Sequence, residues 1–257
     1  MTWTAWLWPR SKGQQHEEDE QGAGEDRQGD GRIQDGHAEG RREPERPGQG
    51  TDGQEPQAGC RDCDVRSRKD EAQVKHFYEE IEGWFQFSKP YLEAVASARD
   101  GAVFVELGCW KGRSSCFLAV EVVNSQKDIK LNFVDHWKGS DEPEHKGDPE
   151  KETIFAIFTK NLSKAGVAHS IFRTDTVSAA ELFEDNSVDF IWVDAGHEYS
   201  DVKSDIDAWW PKLRLNGVMG GDDLPMNGVK QAVTEMFPHH EVGSENGWQW
   251  WRVRKRA

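Results

Sequence analysis

The sequence predicts an α/β protein whose doubly wound, seven-stranded sheet is mostly parallel, ends in an antiparallel hairpin and follows a disordered N-terminal extension. Three observations predict it. Composition changes abruptly near residue 70, short apolar runs then alternate with helical stretches, and the last two runs are too close together for a helix to join them. Continuously apolar strands separated by helices imply a parallel sheet covered on both faces.

From Ser11 to about Asp70 the chain is Gly, Gln, Glu, Asp and Arg with almost no aliphatic residue. Such a stretch buries too little apolar surface to offset its ordering entropy, so residues 1–70 are expected to be a disordered extension and 71–257 the folded domain. Val74, Phe77, Tyr78, Ile81, Trp84 and Phe85 recur at helical spacing, and a second short helix can follow Pro90. The strand candidates are Ala102–Leu107, Leu131–Val134, Ser170–Phe172, Val188–Val193 and Gly217–Met219. Between them Ser114–Asn124, Glu150–Ala165, Val177–Phe183, Ser200–Leu213 and Gly228–Phe237 read as helices. His240–Gly243 and Trp248–Val253 flank Ser244-Glu245-Asn246-Gly247 and form the hairpin.

The net charge of −15 argues against general nucleic-acid binding, because a phosphate backbone attracts a basic face. Cys109 and Cys116 lie in an apolar, core-like segment, and Cys60 and Cys63 form a CxxC without the second ligand pair a structural zinc needs. All four are expected to be reduced thiols in a cytoplasmic protein. No apolar run approaches the roughly 20 residues that cross a bilayer. Met1–Pro9 carries three tryptophans but no basic start, a poor signal peptide.

The most informative segment is Val103-Phe-Val-Glu-Leu-Gly-Cys-Trp-Lys-Gly-Arg-Ser-Ser115. A buried strand runs through Glu106 into Gly108, then Gly112, and a helix begins at Ser114. Gly108 permits close backbone approach, and Gly112 lets the chain turn into the helix. A dinucleotide loop reads G-x-G-x-x-G and seats a pyrophosphate on a helix N-terminus. Here the order is E-x-G-x-x-x-G, with an acid where a pyrophosphate would be unwelcome, so the site suits a ligand bearing an ammonium. Asp135 ends the second strand, where ribose hydroxyls are expected to donate to it. Asp175, after the third strand, either accepts from an adenine amine or caps the next helix.

Together these features resemble the class I S-adenosylmethionine-dependent methyltransferases of the methyltransferase-24 type, a branch that includes sugar and macrolide O-methyltransferases. The likeness covers about residues 74–253. It is carried by the ELGxxxGxSS segment, by Asp135-His136-Trp137, by Asp194-Ala-Gly-His197-Glu-Tyr199, and by Asn216-Gly217-Val-Met-Gly220-Gly221-Asp222-Asp223. Asn216 departs from the usual glycine, and Asp222-Asp223 from a usual His-Asp pair. The resemblance implies a Rossmann-like sheet and S-adenosyl-L-methionine at Glu106, Gly108, Gly112, Ser114, Asp135, Trp137, Asp175 and Asp194. Trp137 either packs on that cofactor or anchors the charged loop Lys138–Glu150.

Asp194 ends the fourth strand and Asp223 follows the fifth, so both emerge at the sheet edge where such folds bind ligands. Converging carboxylates repel unless neutralised, and hard oxygen donors point to Mg²⁺. The resemblance supports Asp194 and Asp223 as metal ligands, with Asp222 a third; the alternative for these aspartates is to cap the following helices, the favoured reading for Asp222. His197 is the candidate general base, with Asp194 beside it, and the resemblance places a base there. The implied reaction is O-methylation of a sugar or other small hydroxylated acceptor, free or in a glycan, with no membrane partner and oligomerisation left open. Two rivals remain: a NAD-dependent short-chain oxidoreductase using Tyr199 and Lys203, and a non-catalytic binding module.

Overall fold

The structure, a computed structural model, describes residues 73–139 and 153–257. All of these belong to the unit Cys60–Ala257. The expected extension, Cys60, Cys63, the opening of the helix expected from Glu150 and most of the Lys138–Glu150 loop lie outside the described residues.

Seven strands form one sheet: β1 (Ala102–Leu107), β2 (Ile129–Asp135), β3 (His169–Arg173), β4 (Val188–Val193), β5 (Leu213–Gly221), β6 (Glu241–Glu245) and β7 (Trp248–Arg254). Their order is β3-β2-β1-β4-β5-β7-β6. The first five are parallel, β7 pairs antiparallel with β5, and β6 antiparallel with β7. The helices are α1 (Ser88–Ser97), α2 (Arg113–Ser125), α3 (Ile154–Ser163), α4 (Thr176–Ala180), α5 (Tyr199–Trp209) and α6 (Asn227–Met236).

Side chains alternate across a strand, so each central strand feeds two cores. Phe104, Phe133, Phe190 and Trp192 face the layer of α1, α2 and α3. Val105, Val134, Ile191, Val193 and Met219 face α4, α5 and α6. Burial of both sheet faces explains why these strands read as unbroken apolar runs. No described helix is long and apolar enough to cross a membrane.

Three expectations need correction. The aromatic segment before Pro90 is not a helix beyond the short 3₁₀ turn Tyr78–Glu80. Its aromatic rings pack on Phe117 of α2, and the Val74 backbone is bridged on both sides by the Asn124 amide, at 2.8 and 3.0 Å. Tertiary partners thus satisfy groups that a helix would have paired internally. The fifth strand begins at Leu213, not Gly217, and α5 stops at Trp209, because Pro211 cannot donate the next helical bond. Pairing then shifts between Val188↔Leu213 and Phe190↔Val218, an irregularity that holds Asn216 at φ +66°. The hairpin turn is shorter than expected: only Asn246 and Gly247 lie between the strands, both with positive φ, as a type I′ turn requires.

Candidate active site

The β1 bend is shaped by neighbouring backbone. The Asp194 N–H donates to the Leu107 carbonyl at 2.8 Å, and the Gly108 N–H to the Val134 carbonyl at 2.9 Å. Gly108 has φ +83°, and a Cβ there would lie 1.9 Å from the Asp194 carbonyl oxygen. The glycine is thus demanded by the meeting of β1 and β4. Gly112, at φ +88°, leads into α2, where a Cβ would lie 2.9 Å from the Phe158 ring.

Asp135 clamps this bend. One carboxylate oxygen accepts from the N–H groups of Cys109 and Trp110, both at 2.9 Å, and the other from the Trp137 N–H at 2.6 Å. Trp137 is 3% exposed, donates its indole N–H to the Trp110 carbonyl at 2.9 Å and packs on Phe155 and Phe158. Of its two readings, the loop anchor is the one this geometry supports. Asp175 is exposed and takes the Ser178 N–H at 2.8 Å, capping α4; that bond holds its carboxyl below the usual range.

Glu106 is 1% exposed and turned into the α1–α2 layer. Ser114 donates to its Oε1 at 2.5 Å, whereas Oε2 has no hydrogen-bond partner among the described residues. Burial pushes its carboxyl up to about 7, against the pull of the Ser114, Ser115 and Tyr91 hydroxyls.

At the ends of β4 and β5 the candidate chemical groups converge. Ligand atoms of Asp194, His197 and Asp223 all lie within 4.8 Å of one another. His197 Nε2 is 2.7 Å from Asp223 Oδ2, and the Trp248 indole N–H donates to Asp223 Oδ1 at 3.0 Å. Asp223 reaches both partners from a left-handed backbone, φ +56°. Asp222 lines the same small cavity, 6% exposed, with Oδ1 unpartnered among the described residues. Burial, then the charge of Asp223, pushes Asp222 up to about 7; burial, then Asp222 and Asp223, raises Asp194. The cluster is short of positive charge.

Sequence reasoning missed two residues here. Trp248 reaches Asp223 only because β7 pairs beside β5, and Tyr91 shares a helical stripe with Phe87 and Val95 that signals burial alone. Tyr199 instead donates to Glu235 at 2.7 Å, and Lys203 pairs with Asp207 and Glu235. The oxidoreductase pair is thus committed to contacts within α5 and with α6.

A methyltransferase-domain family model matches residues 105–224, a span holding the bend, Asp135, the Asp194–His197 loop and Asp223. In this chain β7 is inserted antiparallel between β5 and β6.

Over residues 105–224 the chain is similar to a methyltransferase domain.

Relatives of this chain are distant. An uncharacterized protein of Sinorhizobium fredii is 29% identical over 144 residues, which cover 56% of this chain and 15% of that protein. The match thus spans a small part of that curated relative. Among solved structures, an S-adenosylmethionine-dependent O-methyltransferase of Thermotoga maritima is 14% identical, with 76% of this chain and 71% of that one covered and a TM-score of 0.49. The O-methyltransferase NovP is 12% identical, with 66% and 79% covered and a TM-score of 0.49.

Proposed function

We propose that this chain transfers the methyl group of S-adenosylmethionine to a hydroxyl oxygen of a small acceptor, a sugar or another hydroxylated compound, with His197 as general base. The observation that carries the proposal is the 2.7 Å His197–Asp223 pair, gathered with Asp194 at the sheet edge that also bears the glycine bend. Ligands of doubly wound sheets bind at that edge. The motif resemblance to sugar and macrolide O-methyltransferases supports oxygen as the acceptor atom.

Methyl transfer needs the acceptor oxygen in line with the departing thioether, and a base for its proton. When Nε2–H is given to Asp223, the imidazole lone pair resides on Nδ1, and the carboxylate stabilises the imidazolium formed on proton uptake. Trp248 holds the other Asp223 oxygen, so the carboxylate cannot turn freely. Glu106, Gly108, Gly112, Ser114 and Asp135 are the proposed cofactor residues. Glu106 contributes the negative charge for the ammonium, Ser114 orients it, and Asp135 shapes the bend.

The residues present also fit a divalent cation such as Mg²⁺. The donors are hard oxygens, and Asp222 Oδ1 is buried without a partner among the described residues. Asp194, Asp222 and Asp223 would hold the ion. Bound there, it would supply charge neutralisation and a lowered acceptor-hydroxyl pKa.

A turnover screen with adenosylmethionine across nucleotide sugars, glycans and catechols, with and without Mg²⁺, tests the reading. Methyl transfer to oxygen, lost in His197→Ala while adenosylhomocysteine still binds, is the expected result. Normal turnover by His197→Ala overturns the base assignment, and failure of the wild type to bind adenosylhomocysteine overturns the whole.

A further inference from the structure

Three buried oxygens near the β1 bend lack a hydrogen-bond partner among the described residues: Glu106 Oε2, Tyr91 Oη and Ser115 Oγ. Tyr91 and Ser115 are both 0% exposed, on α1 and α2 respectively. Both hydroxyls favour the ionised Glu106, although neither meets it in hydrogen-bond geometry. The Tyr91 ring packs on Phe190 and Trp192 of β4, and Trp192 is the register partner of Glu106 on β1, so the phenol lies over these two strands beside Glu106. A phenol surrounded by Phe87, Phe190 and Trp192 packs as well without its hydroxyl. A buried polar atom left unmatched costs stability, so three together point to a group that matches them when bound.

An ammonium offers three N–H donors. Glu106 supplies the charge and one acceptor, and the two hydroxyl oxygens supply the others. We propose that Tyr91 is a cofactor-positioning residue that, with Ser115, completes a three-oxygen seat around Glu106 for the ammonium at the amino-acid end of adenosylmethionine. This rests on Glu106 being the cofactor carboxylate. α1 lies outside the span matched by the family model, 105–224, and nothing in that match assigns Tyr91 a role. The competing occupant is one buried water bridging the same atoms.

The test is calorimetric titration of the full chain with adenosylhomocysteine and with 5′-methylthioadenosine, which keeps the nucleoside thioether but lacks the amino-acid end. Wild type, Tyr91→Phe, Glu106→Gln and the double variant are compared. Tyr91→Phe is expected to weaken adenosylhomocysteine about tenfold, the scale of one charge-assisted hydrogen bond, and to move methylthioadenosine by less than about twofold. In the Glu106→Gln background the same change should add less than about twofold, because the two residues act as a unit. The ratio of the two affinities within each variant cancels any loss of folded protein. Equal weakening of both ligands, no weakening of either, or a full additional tenfold loss in the Glu106→Gln background overturns the proposal. A bridging water alone would shift the melting temperature and leave both affinities unchanged, which also overturns it. A wild type that binds neither ligand sinks the cofactor reading and this one with it, whereas an unaltered Tyr91→Phe sinks this one alone.

Discussion

His197 and Asp223 come from loops after different strands, and their side chains meet at 2.7 Å beyond the C-terminal ends of β4 and β5. The second Asp223 oxygen is held by Trp248, so the carboxylate is fixed from two sides. This pairing selects a tautomer of the imidazole, and removing either member should affect the rate before it affects binding. We expect His197→Ala and Asp223→Asn to lower kcat by roughly 10²–10⁴-fold, the usual worth of a positioned base, with adenosylhomocysteine affinity nearly unchanged. Single-turnover kinetics and calorimetry separate the two effects.

Gly108 and Gly166 both have positive φ, +83° and +69°, but only Gly108 is crowded. A Cβ at Gly166 would meet nothing within 4 Å, and Gly166→Ala should cost only the left-handed penalty, roughly 1–2 kcal/mol. Gly108→Ala drives a methyl into the Asp194 backbone and should cost more than about 4 kcal/mol or abolish folding. Urea unfolding of the two variants side by side checks the contrast; equal costs would show that backbone conformation alone decides.

The two N–H groups held by one Asp135 oxygen predict a structural phenotype without ligand. Asp135→Ala should speed amide exchange at Cys109 and Trp110 in the free protein and weaken adenosylhomocysteine about tenfold. Had Asp135 acted on the ribose alone, exchange in the free protein would not change.

Asp205 carries a pH signature. It is 2% exposed, accepts from the Thr176 hydroxyl, and burial pushes its carboxyl from 3.8 up to about 7. Folding therefore favours the neutral form. Its contribution to stability is complete below pH 3.8 and is lost as pH rises through about 7. The size is a few kcal/mol, on the order of 1.4 for each unit of pKa displacement. Asp205→Asn keeps an acceptor for Thr176 and never ionises. The variant should gain on the wild type in urea unfolding between pH 5 and pH 8, and a constant difference across that range would refute the assignment.

The central strands were legible because burial on both faces leaves an unbroken apolar signature, and the terminal hairpin because its two strands lie too close in sequence for a helix to join them. The aromatic stretch from Val74 to Phe85 was misread as a helix for a related reason: packing on Phe117 places apolar residues at helical intervals without helical hydrogen bonds. Pairing between β4 and β5 hid the true start of β5 at Leu213, since polar Arg214 and Asn216 lie in the shifted register.

The sequence by itself determined the fold class, the acidic glycine bend, and which carboxylates and histidine stand at strand ends, because those depend on local pattern and strand period. Only the tertiary structure decided what each group faces. It gave Asp135 to the backbone of the bend, joined His197 to Asp223, and brought Trp248 to a carboxylate that nothing in its own neighbourhood announces. Those partners come from segments up to dozens of residues apart, and a side chain's target across such distances is set by strand order and register, which no local pattern encodes.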